Sequence, residues 1–180
     1  MGVVQLIYHP KLLATLNPIE KHHTEMLFQW RNNPKVFKWC RQHDLLDYGP
    51  HERWVESLGN DPKTKMYLVK SNDQADRPLG VCGLTNIDLL NQRAEFSLYI
   101  GREHQGAGYG RDALKLLLYH AFMSYPFNII WGESFDGSPA IELFKSLGFK
   151  VDGKRRDFYF RESEFVDAIL ISIKRSEFSL

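Results

Sequence analysis

The chain has 180 residues, of which 43% are hydrophobic and 25% are charged, and its formal net charge is +1. This length and composition predict one globular domain over residues 1–180, and the near-neutral charge gives no indication of a nucleic-acid or membrane partner. There are two cysteines without metal-ligand spacing, no bilayer-length apolar run and no secretory signal pattern at the start. We therefore expect a cytoplasmic protein that holds no metal.

Hydrophobic periodicity and turn residues define the predicted elements. In chain order these are a helix ending at Pro34, a helix over 51–58, strands over 66–70, 79–87 and 94–100, a helix over 111–124, a strand over 128–134, a helix between Ser138 and Gly148, and strands over 149–160 and 165–173. Ser138 is the expected N-cap of its helix. The basic run Lys154–Arg156 is interpreted as a solvated turn, with contact to phosphates or to an acidic peptide as the alternative. This order predicts a mixed sheet with helices on its faces.

The stretch "HQGAGYGRDALKLLL" places three glycines directly before a strongly amphipathic helix. A glycine-rich turn at a helix start exposes main-chain N–H groups together with the positive end of the helix dipole, which suits a phosphate group. The loop ends in Arg111-Asp112 rather than Lys-Ser/Thr, which excludes a P-loop, and Arg111 also replaces the third glycine of a dinucleotide fingerprint. The spacing Gln-x-x-Gly-x-Gly, from Gln105 to Gly110, remains.

This spacing resembles the acetyl-CoA pyrophosphate loop of the GCN5-related N-acetyltransferase (GNAT) family, and "AEFSLYIG" and "SPAIELFKSLGF" resemble its fourth strand and fourth helix. The resemblance implies an α/β (mixed α+β) fold with a central, mostly antiparallel mixed sheet of about seven strands, splayed between the fourth and fifth, and about four helices. It implies acetyl-CoA as cosubstrate, direct attack by a primary amine in a ternary complex, and a homodimer as an accessible state. The cofactor-binding residues that it implies are Ser97, Leu98, Tyr99, Ile100, Gln105, Gly106, Ala107, Gly108, Tyr109, Gly110, Arg111, Ser138 and Phe144.

Two carboxylates are candidates for the base that deprotonates the amine. Glu95, on the fourth strand, is the first, and Glu133, at the end of the fifth, is the second; either could instead be a surface carboxylate. Many relatives carry a tyrosine where Phe144 stands, and its phenol protonates the departing thiolate. Here that acid would be Tyr99, Tyr109, Ser134 or Ser138, or water.

Arg31, His51 and Thr85 are the candidate acceptor-binding residues. They match a pattern shared by the PseH-like branch, which acetylates a 4-amino nucleotide sugar, and the RimJ/RimL-like branch, which acetylates protein N-termini. Arg31 offers planar donors that suit a diphosphate, although it could equally be an exposed helix-end residue. Three readings follow: a nucleotide amino-sugar acetyltransferase, a protein N-terminal acetyltransferase, and a CoA-binding protein without catalysis, suggested by Phe144.

Overall fold

The structure is a computed structural model and describes residues 6–42, 44–73 and 76–180. Residues 1–5 lie outside the described residues, and the expected lack of a secretory signal depends in part on them. Residues 74 and 75, between the first two predicted strands, also lie outside. Within the described part of the chain, no helix is long and apolar enough to cross a membrane.

A single seven-stranded sheet in the order β1-β2-β3-β4-β5-β7-β6 forms the centre of the fold. The strands are β1 (Ala14–Pro18), β2 (Lys65–Ser71), β3 (Pro78–Asp88), β4 (Arg93–Ile100), β5 (Ile129–Phe135), β6 (Lys150–Arg161) and β7 (Glu164–Lys174). All neighbouring strands are antiparallel except β4 and β5, which are parallel. The predicted mixed, mostly antiparallel sheet is therefore confirmed.

Across residues 6–42, 44–73 and 76–180, five α-helices lie between these strands. They are α1 (Thr24–Asn32), α2 (Pro34–Phe37), α3 (Tyr48–Ser57), α4 (Tyr109–Ser124) and α5 (Ala140–Ser146). The first three precede β2, α4 connects β4 to β5, and α5 connects β5 to β6. The parallel pair needs this long α4 connection, because a tight turn cannot join parallel neighbours.

The structure adds one helix to the predicted elements and corrects two local predictions. Helix α1 ends before Pro34, as predicted, but Pro34 also begins the unpredicted α2, whose N-cap Asn33 accepts a hydrogen bond from the Lys35 amide. Helix α5 begins at Ala140 with Pro139 as N-cap, although the Ser138 hydroxyl still accepts the Ala140 N–H at 3.3 Å. The run Lys154–Arg156 is no turn, since it lies within β6.

Apolar side chains fill both faces of the sheet. One cluster packs α1 and its neighbours against β2, β3 and β4, and the larger one packs α4 and α5 on the opposite face. In the larger cluster the Phe96 ring meets Phe144 edge to face, with 4.9 Å between ring centroids. Gly132 on β5 makes room for Phe96, because a Cβ there would lie 2.4 Å from the ring.

Candidate active site

Strands β4 and β5 separate partway along their length. Their pairing comprises Arg93 with Ile129, Ala94 with Ile130 and Glu95 with Trp131, whereas β4 continues to Ile100 and β5 to Phe135. Beyond Glu95 the two strands therefore diverge and leave a cleft. The predicted splay between the fourth and fifth strands is confirmed.

The divergence exposes main-chain groups on one edge of β4. Gly101 donates its N–H to the carbonyl of Leu79 on β3. Along a strand, the main-chain N–H and C=O groups of successive residues point to opposite neighbours, so those of Tyr99 and Ser97 also point to β3. The N–H and C=O of Leu98 consequently face the cleft. Ile100 has the same orientation, and its carbonyl accepts a hydrogen bond from Gln105 Nε2 at 2.9 Å. Leu98 thus offers a free amide where the sheet opens.

The glycine loop lies just beyond the end of β4 and starts α4. Gly106 and Gly108 have φ of +84° and +87°, a left-handed backbone that favours glycine, and Gly108 is the N-cap of the helix. The first hydrogen bond that enters the loop from α4 is from the Asp112 N–H to the Gly108 carbonyl. Among the described residues, none accepts a hydrogen bond from the main-chain N–H groups of Gly106 through Arg111. The loop therefore presents a run of unpaired donors at a helix N-terminus, which is the arrangement that binds phosphate.

Two side-chain hydrogen bonds hold this loop in place. The Gln105 amide bonds to β4 as described, and the Asp112 carboxylate accepts the Leu13 N–H at 2.8 Å. Asp112 is 8% exposed, so the bond ties the first turn of α4 to the chain that leads into β1. Both anchors leave the loop amides free.

Four adjoining cavities run from the glycine loop into the cleft and on to the opposite side of β4. The first, about 480 Å³, is lined by loop residues including Gln105, Gly108 and Arg111. The second shares Ile100 and Gln105 with the first, and Leu98 and Ser138 with the third. The third is the cleft itself, of about 520 Å³. The fourth, about 370 Å³, shares Arg31 and Ser97 with the cleft.

Two buried carboxylates lie in the cleft and share one guanidinium. Arg41 Nη2 is 2.5 Å from Glu95 Oε1, and Arg41 Nη1 is 3.1 Å from Glu133 Oε1. Glu95 also accepts a hydrogen bond from Asn86 Nδ2 at 2.6 Å, and Glu133 is bonded by Tyr159 as well. The glutamate side chains are 3% and 5% exposed, whereas that of Arg41 is 44% exposed. The arginine thus covers the two acids from the solvent side.

The fourth cavity, which we call the acceptor cavity, lies between α1, α3 and strands β2 to β4. It is lined by Arg31, Leu46, Pro50, His51, Trp54, Thr64, Met66, Thr85, Ser97 and Tyr99. Two buried polar atoms at this cavity, His51 Nε2 and the Tyr99 hydroxyl, have no hydrogen-bond partner within the described residues. Burial lowers the pKa of His51 and raises that of Tyr99, so both are neutral at pH 7. No carboxylate of the described residues lines this cavity.

The structure brings most of the predicted site residues to these cavities. Arg31, His51 and Thr85 line the acceptor cavity together, and Ser97, Ser138 and Phe144 line the cleft with both glutamates. The loop residues Gly106, Gly108, Tyr109, Gly110 and Arg111 line the first cavity, together with Ile100 and Gln105. Ala107 is exposed and does not line that cavity.

Among the candidate acids, Tyr109 lies at the glycine loop and interacts with Arg77, away from the carboxylates. Ser134 and Ser138 line the cleft, and Tyr99 lines the acceptor cavity. The sequence reading missed Arg41, Asn86 and Tyr159, which contact the glutamates. No periodicity marks Arg41, which lies in an irregular segment between α2 and α3.

No group of three or more His, Cys, Asp or Glu side chains among residues 6–42, 44–73 and 76–180 is placed to hold a metal ion. Cys40 and Cys82 are both buried, and burial raises the pKa of each thiol. Both therefore stay protonated at neutral pH.

Comparison with known proteins gives a consistent picture. The chain is 26% identical to an uncharacterized N-acetyltransferase p20 of Bacillus licheniformis over 98% of this chain and 99% of the relative. It is 25% identical to the acetyltransferase PseH of Campylobacter jejuni over 82% of this chain and 89% of the relative. A crystal structure of spermidine N-acetyltransferase from Vibrio cholerae, in complex with CoA and spermine, superposes with a TM-score of 0.86 at 21% identity, over 92% and 97% of the two chains.

Residues 14–150 match the profile of the acetyltransferase (GNAT) domain, which takes in the cleft, the glycine loop and α5. The chain therefore belongs to the GNAT family of N-acetyltransferases, whose acetyl donor is acetyl-CoA.

Proposed function

We propose that this enzyme transfers the acetyl group of acetyl-CoA to the primary amine of a nucleotide-linked amino sugar, by direct attack in a ternary complex. The observation that carries the proposal is the chemistry of the acceptor cavity. Within the part of the chain that the structure describes, it combines the Arg31 guanidinium with unpartnered polar atoms of His51 and Tyr99, and no carboxylate lines it. An acceptor that carries phosphates and hydroxyl groups supplies the anion and the hydrogen-bond partners that these side chains lack.

The four cavities support a separate position for each substrate. Acetyl-CoA extends its pyrophosphate to the amides of Gly106–Arg111 and its pantetheine arm through the second cavity to Leu98. The Leu98 N–H then polarises the thioester carbonyl. The amine arrives from the acceptor cavity, which meets the cleft at Arg31 and Ser97. This is the one junction that the two cavities share.

Glu95 is the proposed base, with Glu133 as the second candidate. A primary amine with a pKa near ~10 is protonated at neutral pH and must lose its proton before it attacks. Glu95 lies within the cleft, two residues before Ser97 on the same face of β4. The departing thiolate, with a thiol pKa of roughly ~8.5, can leave with water or with the protonated Tyr99 hydroxyl as its acid.

Two other acceptor classes make different demands on this site. A peptide N-terminus needs an open groove, as in the RimJ/RimL-like alternative, whereas the acceptor cavity is lined from α1, α3 and the sheet. A polyamine, the ligand named for the Vibrio cholerae structure, carries several positive charges and needs carboxylates along its length. Near the junction, the described residues that offer such groups are Glu95 and Glu133, which line the cleft and not the acceptor cavity.

Thiol release from acetyl-CoA is the test, with a UDP-linked 4-amino-4,6-dideoxy sugar, a set of peptides with free N-termini, and spermidine as acceptors. We expect kcat/KM at least about tenfold higher for the nucleotide sugar, since one charge-assisted hydrogen bond contributes about 1.5–3 kcal/mol. A higher kcat/KM for a peptide or for spermidine would overturn the acceptor assignment.

A matched pair of variants locates the anion site. Arg31→Ala should raise the KM for the nucleotide sugar about tenfold or more, because it removes the guanidinium from the cavity. Arg53→Ala on α3 makes the same charge change at an exposed position outside the cavity and should leave KM within about twofold. Equal effects of both variants would show that only the net charge matters.

A further inference from the structure

The contact between Arg41 and the two buried glutamates places a cation where a substrate amine must be deprotonated. Arg41 reaches both Glu95 and Glu133 and is the most exposed member of this trio. With Arg41 there and Asn86 on the second oxygen, both oxygens of Glu95 are already occupied. An acceptor ammonium therefore cannot approach Glu95 while this contact persists.

We infer that Arg41 occupies the place of the acceptor's ammonium group and swings out when the amine enters, which frees Glu95. Arg41 is then a positioning residue that couples acceptor entry to the availability of the base. The inference rests on the cleft being the reaction site, as proposed above, but it does not depend on which amine is the acceptor.

The surroundings of Arg41 allow the side chain to move while its backbone stays in place. Arg161 on β6 donates to the carbonyl of Gln42 at 2.7 Å and to those of Phe37 and Lys38 at 3.2 Å. The backbone on either side of Arg41 is thereby fixed to the sheet. Since the Arg41 side chain is already 44% exposed, a rotamer change toward solvent releases it from its two ion pairs without any movement of the backbone.

The remaining contacts keep the glutamates in place after Arg41 leaves. Glu133 retains Arg155 at 3.0 Å and the Tyr159 hydroxyl, while Glu95 retains Asn86. With Arg41 gone, Arg155 still pairs with Glu133, but Glu95 is left as a buried carboxylate without a cation of its own. This is unfavourable, so the site holds either Arg41 or an incoming ammonium group. This exchange explains how two acids are kept in a buried cleft between turnovers.

The competition has a measurable consequence for affinity. If Arg41 covers the glutamates nine-tenths of the time, the apparent affinity for an ammonium ion is reduced about tenfold, because only the open fraction binds. Removing the Arg41 guanidinium should therefore raise the apparent affinity for an ammonium ion by about the same tenfold. Removing Arg155 takes the same charge from the same cluster without uncovering Glu95, and it measures the purely electrostatic part.

The test titrates ethylammonium chloride into protein labelled with 13C at the glutamate side-chain carboxyls, with tetramethylammonium chloride holding ionic strength constant. Glu95→Gln and Glu133→Gln assign the two signals. For Arg41→Gln, which keeps an amide donor, we expect ethylammonium to bind about tenfold more tightly than to the wild type. Arg155→Gln should change the affinity less than about threefold, and Arg41→Lys should bind as weakly as the wild type.

Equal or weaker binding to Arg41→Gln, or the same gain in Arg155→Gln, would overturn the inference and leave Arg41 as a structural contact. Thermal unfolding of each variant shows that it is folded before the titration. Because no acetyl-CoA or turnover enters this measurement, a wrong acceptor assignment cannot produce either result.

Discussion

Replacing Gly108 by valine tests the link between the glycine loop and acetyl-CoA most directly. Gly108 has φ of +87°, and the nearest atom to an added Cβ would be Leu13 Cδ1 at 3.7 Å, so the Cβ itself does not clash with neighbouring residues. Its effect is on the backbone, because a left-handed conformation costs a non-glycine residue roughly 1–2 kcal/mol. The loop can relieve this strain only by turning its amides away from the pyrophosphate.

The size of the expected effect follows from the hydrogen bonds at stake. Two charge-assisted bonds at about 1.5–3 kcal/mol each correspond to a loss of at least about 100-fold in acetyl-CoA affinity. In thermal unfolding, ligand at 100 times its Kd should stabilise the wild type by about 2.7 kcal/mol, or roughly 5–10 °C in a chain of this length. We expect this ligand-induced shift to vanish in Gly108→Val, whose own Tm falls by only a few degrees.

Gly148→Val is the control for general destabilisation. Gly148 also has a positive φ, of +94°, but it follows α5, and an added Cβ there would lie 3.3 Å from Ile173 Cδ1. This variant should lose at least as much stability and yet keep the full acetyl-CoA shift. Unchanged acetyl-CoA affinity in Gly108→Val would refute the assignment of the loop.

Three further outcomes follow from the site and the core. Glu95→Gln should lower kcat/KM most at low pH, by about 100-fold near pH 6.5, because the amine is then most fully protonated. A loss of kcat/KM that does not depend on pH would assign Glu95 a structural role. Phe144→Tyr should change kcat by less than about threefold, since the ring packs against Phe96 while lining the cleft. A severe loss of kcat would mean that the cleft has no room for the added hydroxyl. Burial lowers the pKa of His51 and His120 below the usual 6.5. The unfolded chain therefore binds more protons than the folded one near this pH. The free energy of unfolding should fall as the pH drops below about 6.5. Unfolding midpoints at pH 7.5 and 5.5 measure this loss, and His120→Gln should reduce it; an equal loss in that variant would exclude His120 as a source.

The elements with strong periodicity were predicted well from the sequence. Helix α4 and strands β3 and β4 agree with their predicted bounds within two residues, because each combines a regular apolar pattern with a clear turn at its ends. Strand β1 was missed: "ATLNP" is short and ends in proline, so its pattern is no different from that of a loop. Its place at the sheet edge is set by antiparallel pairing with β2, a contact that no local signal predicts.

The site shows the same difference between features with a local sequence signal and features that depend on tertiary contacts. The glycine loop has a local signature in the sequence, from which its position before α4 could be predicted, whereas the environment of Glu133 depends on distant parts of the chain. Arg155 and Tyr159 reach this carboxylate from β6, where the register against β7 shifts between these two residues. Such a bulge redirects side chains and has no reliable sequence pattern. For this reason Glu133 could be read as a solvated strand end, although its side chain is 5% exposed.

The contact between Gly132 and Phe96 has a consequence for how this chain can vary. A Cβ at position 132 would lie 2.4 Å from the ring of Phe96, so neither position can accept a larger side chain while the other keeps its present one. Substitutions at the two positions are therefore coupled, and a bulkier residue on β5 is tolerated only when the ring on β4 shrinks with it. Both residues lie next to the point where β4 and β5 diverge. Homologues that have a different residue at only one of these two positions should therefore differ in the width of the cleft between the strands.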